Sequence, residues 1–422
     1  MSGFMKTSKK IMAVILCVLM LLPFMFTDAF AAKLLDEDLL YEGGHVTAEK
    51  YYTVAKGITE KYIVLSDEDN SNQIKNYIYE VDLSNPNLSI VVGYNDGDGD
   101  GWGLATLPAQ VDAIEQTRGV TVVAAVNGGG FNTTTGELGD ICIMNGVMVQ
   151  QPNNNKKSSF FAILNDGTAA IRKYGESTDD VREAVPAMQH LIENGKVLSL
   201  DGVTKHPRTS VGIKKDGTVV FMVSDGRQSP DSCGMTYVEQ ANTMKALGCV
   251  DAVALDGGGS STFMTRRESL SSFTVRNNPC YGFVRPIGTS VMVCSTATAT
   301  GVFDHISFAE SEFYVYPSRS IEINAVGCDV NGFKTDLPNG KLVLDNTDCG
   351  TLIGSTFFAN LTEGTVNACY VSNGEVIARV PIVVTYDAES RIDDTANTMI
   401  RLFGNLRDMI QFVFEKLLSY LQ

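Results

Sequence analysis

Val250-Asp251-Ala252-Val253-Ala254-Leu255 runs directly into Asp256-Gly257-Gly258-Gly259-Ser260-Ser261-Thr262. The first six residues are small and mostly apolar and read as a buried strand. The strand stops at a lone carboxylate and passes into three glycines and three hydroxyls. Glycines let backbone N–H groups approach a ligand and build an anion-binding concavity. A carboxylate at a strand end beside such a cradle is how open α/β sheets present chemistry. A flexible Gly/Ser turn has the same composition, so the flanking sequence must decide.

Upstream, Asp-Gly turns mark two hairpins, residues 160–171 around Asp166-Gly167 and 209–221 around Asp216-Gly217. Residues 77–83 and 88–92 read as strands about an Asn-Pro-Asn turn. Between the second hairpin and Asp256 the spacing predicts a helix. Thr236 and Glu239 form its capping box, Val238, Ala241 and Leu247 share a face, and Gly248 ends it. Ala125-Val126-Asn127-Gly128-Gly129-Gly130 echoes Ala254-Leu255-Asp256-Gly257-Gly258-Gly259. A faint internal duplication would bring two glycine-rich strand ends to one cleft. Hairpin, helix, buried strand and glycine loop together predict an α/β core with a mixed sheet over residues 61–298.

The outer segments differ in texture. Lys6, Lys9 and Lys10 precede an apolar run over residues 11–26 and an Ala29-Phe30-Ala31 end, the pattern of a cleaved signal peptide over residues 1–31. The expectation is a bacterial protein that is secreted or held at the cell envelope. Residues 32–60 are mixed and polar, a leader wrapping the first domain. Residues 299–388 alternate in short runs broken by Asn-Gly at 331–332, 339–340 and 373–374, which predicts a small all-β, Ig-like sandwich. Residues 394–422 keep helical apolar spacing, as in Met399, Leu402, Phe403, Leu406 and Met409, and predict an amphipathic helix. The sandwich or this helix is the part expected to associate with a cell wall or membrane surface.

Without residues 1–31, which hold three lysines and Asp28, the 33 basic and 49 acidic side chains become 30 and 48, a formal charge of −18. Nucleic acid is excluded as a partner, because phosphate contacts need a basic face. An anionic substrate needs a local arginine cluster to overcome this field. Eight cysteines follow Cys17, and none falls in CxxC or Cys/His zinc spacing. Several are expected to be buried free thiols. Asp96-Gly97-Asp98-Gly99-Asp100 resembles the start of a calcium loop, but its twelfth position is Leu107, where a bidentate Glu is needed. No cofactor is called for, and a divalent cation is left open.

Polar groups gather at four further strand ends: Asn127-Gly128-Gly129-Gly130-Phe131-Asn132, His206-Pro207-Arg208-Thr209-Ser210, Ser224-Asp225-Gly226-Arg227-Gln228, and Asn277-Asn278-Pro279 with Arg285. Any one arginine could be a surface ion pair worth under ~1 kcal/mol. Together they set three guanidiniums, several amides and a carboxylate beside two glycine cradles. Arginine forks suit phosphate oxygens.

These motifs, in this order over residues 61–296, resemble the phosphodiester glycosidase family. The resemblance implies an α/β domain that cleaves a sugar–phosphodiester bond. The family pattern has two aromatics after the glycine pair; here Gly130 takes the first place, before Phe131. The chemistry is consistent with the residues themselves. The leaving group is a phosphate monoester with a second pKa near ~6. It departs readily, so the demand for a raised-pKa general acid relaxes. What is left is to bind the phosphate, stabilise an oxocarbenium-like centre and activate water or supply a nucleophile. Asp256 is the candidate nucleophile or base, with Asp225 as orienter of Arg227 or second carboxylate. Arg208, Arg227 and Arg285 are candidates for the phosphate, with Arg208 counted in the catalytic set. Asn127, Ser260 and Ser261 are candidates for sugar hydroxyls; Gly128, Gly129, Gly257, Gly258, Gly259, Thr262 and Asn277 complete the substrate-binding set. The substrate class is a glycosyl phosphodiester, either an anionic glycan or a nucleotide sugar. Two other readings fit the same residues: a non-catalytic wall- or polysaccharide-binding protein, and a phosphodiesterase that breaks P–O.

Overall fold

The computed structural model describes residues 35–386 apart from 42, 68–71, 96–100, 154, 156–157 and 269–272. The signal segment, the amphipathic helix and Asp96 to Asp100 lie outside the described residues.

An eight-stranded sheet is built in the order His45–Ala55, Ile58–Ser66, Gln73–Val81, Val219–Ser224, Arg208–Lys214, Cys249–Ala254, Gln189–Glu193, Lys196–Val197. Both sequence hairpins form: Arg208–Lys214 pairs with Val219–Ser224, and Ser159–Leu164 with Ala169–Lys173. Gly217 and Gly167 hold φ near +90° at their turns, a conformation that favours glycine. A five-stranded sheet follows the order Thr274–Val275, Phe263–Thr265, Thr121–Asn127, Thr289–Ser295, Leu88–Tyr94. A second five-stranded sheet holds the 159–173 hairpin. The expected α/β domain is present, with antiparallel pairing throughout these three sheets.

Among the described residues the α component is two helices that cover opposite outer faces. α1 (Leu107–Arg118) turns Leu107, Val111 and Ile114 onto Val122, Ala125 and Met292 of the first five-stranded sheet. α2 (Tyr237–Ala246) is capped as the sequence predicts: Thr236 Oγ1 accepts from the Glu239 N–H, and the Glu239 carboxylate accepts from the Thr236 N–H. Ala241 and Leu247 pack on Val220, Met222 and Ala252 of the eight-stranded sheet. Val238, expected on that face, is 41% exposed.

Between the sheets lies a common core of Tyr77, Tyr79, Val126, Phe161, Phe221, Phe263 and Val291. Tyr79 packs its ring 4.8 Å from Phe221 and 5.2 Å from Phe263. Phe263 follows the glycine loop by one residue, so that loop hangs from the centre of the core. Residues expected as a leader are part of the sheet. The strand His45–Ala55 pairs along Ile58–Ser66, and Leu35 is buried against α2. The strand lies at the sheet edge, where its charged and hydroxyl residues give the segment the mixed polar texture of a leader.

Residues 305–384 form three small sheets around Phe313, Ile323, Phe357, Val366, Val380 and Ile382. Gly364–Ser372 and Glu375–Val384 make a hairpin whose Asn373 and Gly374 both have positive φ, the type I′ pattern. Among the described residues all eight cysteines are unpaired, and six are buried. Among the described residues no helix is long and apolar enough to cross a membrane.

Candidate functional site

Strands Thr121–Asn127 and Cys249–Ala254 end side by side although they belong to different sheets. The Asp256 N–H donates to the Gly128 carbonyl at 3.0 Å. Asn127 Nδ2 donates to the Asp256 carbonyl at 2.7 Å. The two glycine-rich ends thus meet, as their similarity suggested.

Asn127 is 1% exposed and its amide is fully engaged. Besides the Asp256 carbonyl, Nδ2 reaches the Gly128 carbonyl, while Oδ1 accepts from Thr209 Oγ1 at 2.8 Å and from the Thr262 N–H at 3.2 Å. The sugar-hydroxyl role expected for Asn127 is therefore corrected: it clamps the loop and has no capacity left for a ligand. Ser261 and Thr262 are likewise buried, with hydroxyls bonded to Thr209 and to the Ser260 carbonyl. Ser260 is buried, accepts from Arg285 Nη2 and hydrogen-bonds the Asp256 carboxylate.

The glycines serve close approach more than N–H donation. The Gly128 N–H goes to Thr289 O, the Gly258 N–H to Pro207 O, and the Gly257 N–H to the Asp256 carboxylate. A Cβ at Gly129 would lie 2.6 Å from Pro186, and one at Gly257 would lie 2.8 Å from Pro207 O. A Cβ at Gly259 would lie 2.2 Å from the Tyr281 ring, so only glycine fits beneath that aromatic.

Asp225 is 1% exposed. Its carboxylate accepts from Asn277 Nδ2 and from the Asn278 N–H, both at 2.9 Å. Asn277 in turn donates to Ser261 O and accepts from the Phe263 N–H. Asp225 therefore fixes the 277–278 turn against the glycine loop. This burial suits Asp225 to positioning the loop rather than to the expected role of a second reacting carboxylate. Arg208 is also corrected. It is 9% exposed, donates from Nε to Met235 O at 2.9 Å, and lies 3.8 Å over the Tyr237 ring. It braces the start of α2.

What faces outward is a smaller set. The Asp256 side chain is 20% exposed and lies 3.5 Å from Arg285 Nη2. Burial raises its pKa, and the Ser260 hydrogen bond and Arg285 charge only partly offset this. Arg285 also lies over Phe131, 5.5 Å from the ring centre, and its Nε is buried without a partner. Arg227 is exposed and holds φ +61°, a left-handed conformation costing about 1–3 kcal/mol in a bulky residue. That backbone aims its guanidinium at His206 Nδ1 and at the Tyr281 hydroxyl, and lays it against Gly258. Burial, then Arg227 and Arg208, hold the His206 pKa below its usual range. A neutral imidazole can accept at Nδ1, which fixes its N–H at Nε2.

His206 lies in a stretch the sequence singles out but carries no expected role, and Tyr281 and Phe283 have no mark there at all. Tyr281 and Phe283 are 52% and 59% exposed and stack at 6.1 Å. Aromatics one residue apart, between motif residues Asn277 and Arg285, were the signal. Two guanidiniums, one carboxylate and an exposed aromatic pair can hold an anion, move one proton and stack on a flat ring or sugar face. An ionised carboxylate whose pKa is raised by burial can serve as base or nucleophile beside guanidiniums.

Residues 120–294 match the family model described as phosphodiester glycosidase. The SPbeta prophage-derived uncharacterized protein YomE of Bacillus subtilis (strain 168) is 29% identical over 153 residues, 33% of this chain and 23% of that protein. The N-acetylglucosamine-1-phosphodiester alpha-N-acetylglucosaminidase of Mus musculus is 28% identical over 164 residues, 33% of this chain and 31% of its own. The chain thus spans less than a third of the length of either curated relative. Among solved structures, the zebrafish N-acetylglucosamine-1-phosphodiester alpha-N-acetylglucosaminidase catalytic domain, auto-inhibited by its pro-peptide, superposes with TM-score 0.43 and 19% identity, covering 60% of this chain and 88% of that one. A hypothetical protein from Synechocystis gives TM-score 0.41 and 12% identity over 57% and 62% of the two chains. The family resemblance read from the ordered motifs is borne out by the match over residues 120–294.

Proposed function

We propose, from the phosphodiester glycosidase stretch at residues 120–294 and the groups around Asp256, that this protein hydrolyses glycosyl phosphodiesters. The observation that carries the reading is one part-buried carboxylate, Asp256, paired with Arg285, and a second guanidinium, Arg227, held against Gly258 of the same loop, in a chain of net charge −16. Such a local reversal of the global field is what an anionic substrate needs.

In this reading Arg227 and Arg285 bind the phosphate oxygens, and Tyr281 with Phe283 carries the sugar or the group beyond the phosphate. The C1–O bond breaks and the phosphate monoester leaves with the bonding electrons. Water adds to C1 and its proton passes to Asp256, directly or after a glycosyl–Asp256 intermediate. A phosphate leaving group with a second pKa near ~6 needs little protonation, so a single carboxylate suffices where most glycosidases use two. Asn127, Asp225, Asn277 and Ser260 keep Asp256 and Arg285 in place. We extend the proposal to an exported protein acting on cell-wall or extracellular phosphoglycans; the Lys-rich start and apolar run of residues 1–31 motivate this part.

The test is a panel of sugar-1-phosphodiesters and nucleotide sugars assayed for released reducing sugar, run in oxygen-18 water. Release of sugar with label at C1 is the expected result. Label in the phosphate would replace the glycosidase reading with P–O cleavage, and binding without turnover across the panel would replace it with a binding protein.

A further inference from the structure

A second cluster of reactive side chains lies where the first domain meets the β-domain. Strand His305–Phe308 pairs with Ala325–Cys328, and His305 stands directly opposite Cys328. Opposed residues of an antiparallel pair place their side chains on one face. Glu268 comes to that face from the loop after Phe263–Thr265. Its N–H donates to Thr53 O at 3.1 Å, and its neighbour Arg267 is locked to buried Glu60. Glu268 Oε2 lies 3.1 Å from His305 Nε2. A carboxylate oxygen of Glu268, the His305 ring nitrogen and Cys328 Sγ all fall within 4.8 Å of one another. Cys328 is buried, Glu268 is half-buried with its side chain 4% exposed, and the His305 side chain is 38% exposed.

We propose that Glu268, His305 and Cys328 form a binding site for a zinc-class divalent ion that staples the 266–268 loop to the β-domain. The donor set is one thiol, one imidazole and one carboxylate. That combination suits borderline-soft zinc, whereas calcium and magnesium take oxygen alone. Bonds of about 2.0–2.3 Å from a tetrahedral ion separate its ligand atoms by roughly 3.3–3.7 Å. Glu268 and His305 are already 3.1 Å apart and all three atoms lie within 4.8 Å, so a small side-chain movement completes the set. His305 Nδ1 lies 3.0 Å from Asp304 Oδ2. A proton on Nδ1 donated to Asp304 leaves the Nε2 lone pair for the ion, the carboxylate–histidine–metal arrangement.

An entry path and a fourth ligand are at hand. A cleft of about 540 Å³ opens onto Glu268, Val326, Asn331 and Gly332, and a water from it would complete the tetrahedron. Binding forms one bond each to sulfur, nitrogen and oxygen. It displaces the Cys328 thiol proton and any proton on His305 Nε2, both of which leave to water in the cleft. Without an ion, His305 still bridges Glu268 and Asp304 as a shared proton carrier. That arrangement accounts for the two carboxylates but leaves the thiol facing them with only a long hydrogen bond, 3.9 Å to Val326 O.

The experiment uses the full chain and two probes, zinc(II) and cobalt(II). One equivalent of zinc by elemental analysis, a rise in melting temperature with zinc chloride, and its reversal by a chelator are expected. Cobalt should give a thiolate-to-metal charge-transfer band in the near ultraviolet that Cys328→Ser abolishes. His305→Ala should weaken binding at least 10-fold. The proposal is overturned if wild-type protein takes up no stoichiometric metal, if bound cobalt shows no thiolate band, or if the band survives both variants. Should Cys328→Ser fail to fold, the wild-type cobalt spectrum and His305→Ala still decide. Turnover is not the readout, so failure here leaves the glycosidase proposal standing.

Discussion

Asp256→Asn separates chemistry from architecture at this site. The side chain is 20% exposed, and burial raises its pKa despite Ser260 and Arg285. A carboxyl whose folded pKa is raised stabilises the protein below its unfolded value of about 3.9, and that contribution is lost as pH rises through the folded value. At neutral pH the ionised carboxylate is therefore a cost, which asparagine removes while keeping an acceptor for Ser260 and Arg285. The pair with Arg285, at 3.5 Å and partly exposed, is worth at most ~1 kcal/mol in the other direction. The variant should melt at or above wild type at pH 7, and the two should converge in acid. Turnover should fall at least ~10²-fold, about 2.7 kcal/mol of transition-state stabilisation. The assay is reducing-sugar release at saturating sugar-1-phosphodiester beside a melting curve at pH 4 and 7. The acid limb of kcat/KM should lie above the ordinary aspartate range in wild type and vanish in the variant. A kcat within tenfold of wild type would refute the reasoning, and a raised KM alone would reduce Asp256 to a positioner of Arg285.

Tyr281→Ala should raise KM roughly 2- to 12-fold, the equivalent of about 0.5–1.5 kcal/mol of aromatic contact, with little change in kcat; unchanged KM across the substrate panel would remove the aromatic pair from the site. Asn127→Ala leaves the Thr262 N–H, the Thr209 hydroxyl and the Asp256 carbonyl short of partners. Each such loss costs about 1–3 kcal/mol, so denaturant unfolding should show several kcal/mol of destabilisation together with reduced kcat. Glu60→Gln uncouples a pair whose side chains are 1% and 4% exposed and should cost about 3–5 kcal/mol; a loss under 1 kcal/mol in the same unfolding assay would show that the Arg267 charge is satisfied elsewhere.

Local signals were legible where short-range chemistry decides the outcome. The Thr236–Glu239 cap, the Asp-Gly hairpins and the strand running into Asp256 all depend on residues within one turn or one pairing. Helix α1 was passed over, although Thr106 caps it, Pro108 sits in its first turn and Gly119 ends it at φ +61°. Its Leu107 was read as a failed calcium ligand, when it is a fully buried contact to the sheet. Function within the motifs was less legible. Polar type marks a site, but burial and direction decide which polar residue meets the ligand, and both depend on tertiary packing. Asn127, Asp225, Asn277 and Arg208 carry the expected side chains and turn them inward.

That inward turn follows from the topology. Asp256 and Asn127 end strands of two different sheets, and no strand pairing ties those sheets at this point. Beyond the one backbone bond from the Asp256 N–H to the Gly128 carbonyl, their relative position is set by side chains, and the set must be satisfied because it is buried. Asn127 spans from one strand end to the other. Asp225 and Asn277 bring the 277–278 turn to the same loop, and Phe263 fixes the loop in the core. The polar residues that look catalytic in sequence are thus needed to hold two sheets in register around one carboxylate. Among the described residues, the groups on the outer side of that lock are Asp256, Arg227 with His206, Arg285 and the 281–283 aromatics, and these can meet a substrate. Substitutions in the inner set should move stability and kcat together, whereas substitutions in the outer set should move kcat or KM with the melting temperature kept. That difference in correlation, measured across the named variants, distinguishes the two layers without any assumption about the substrate.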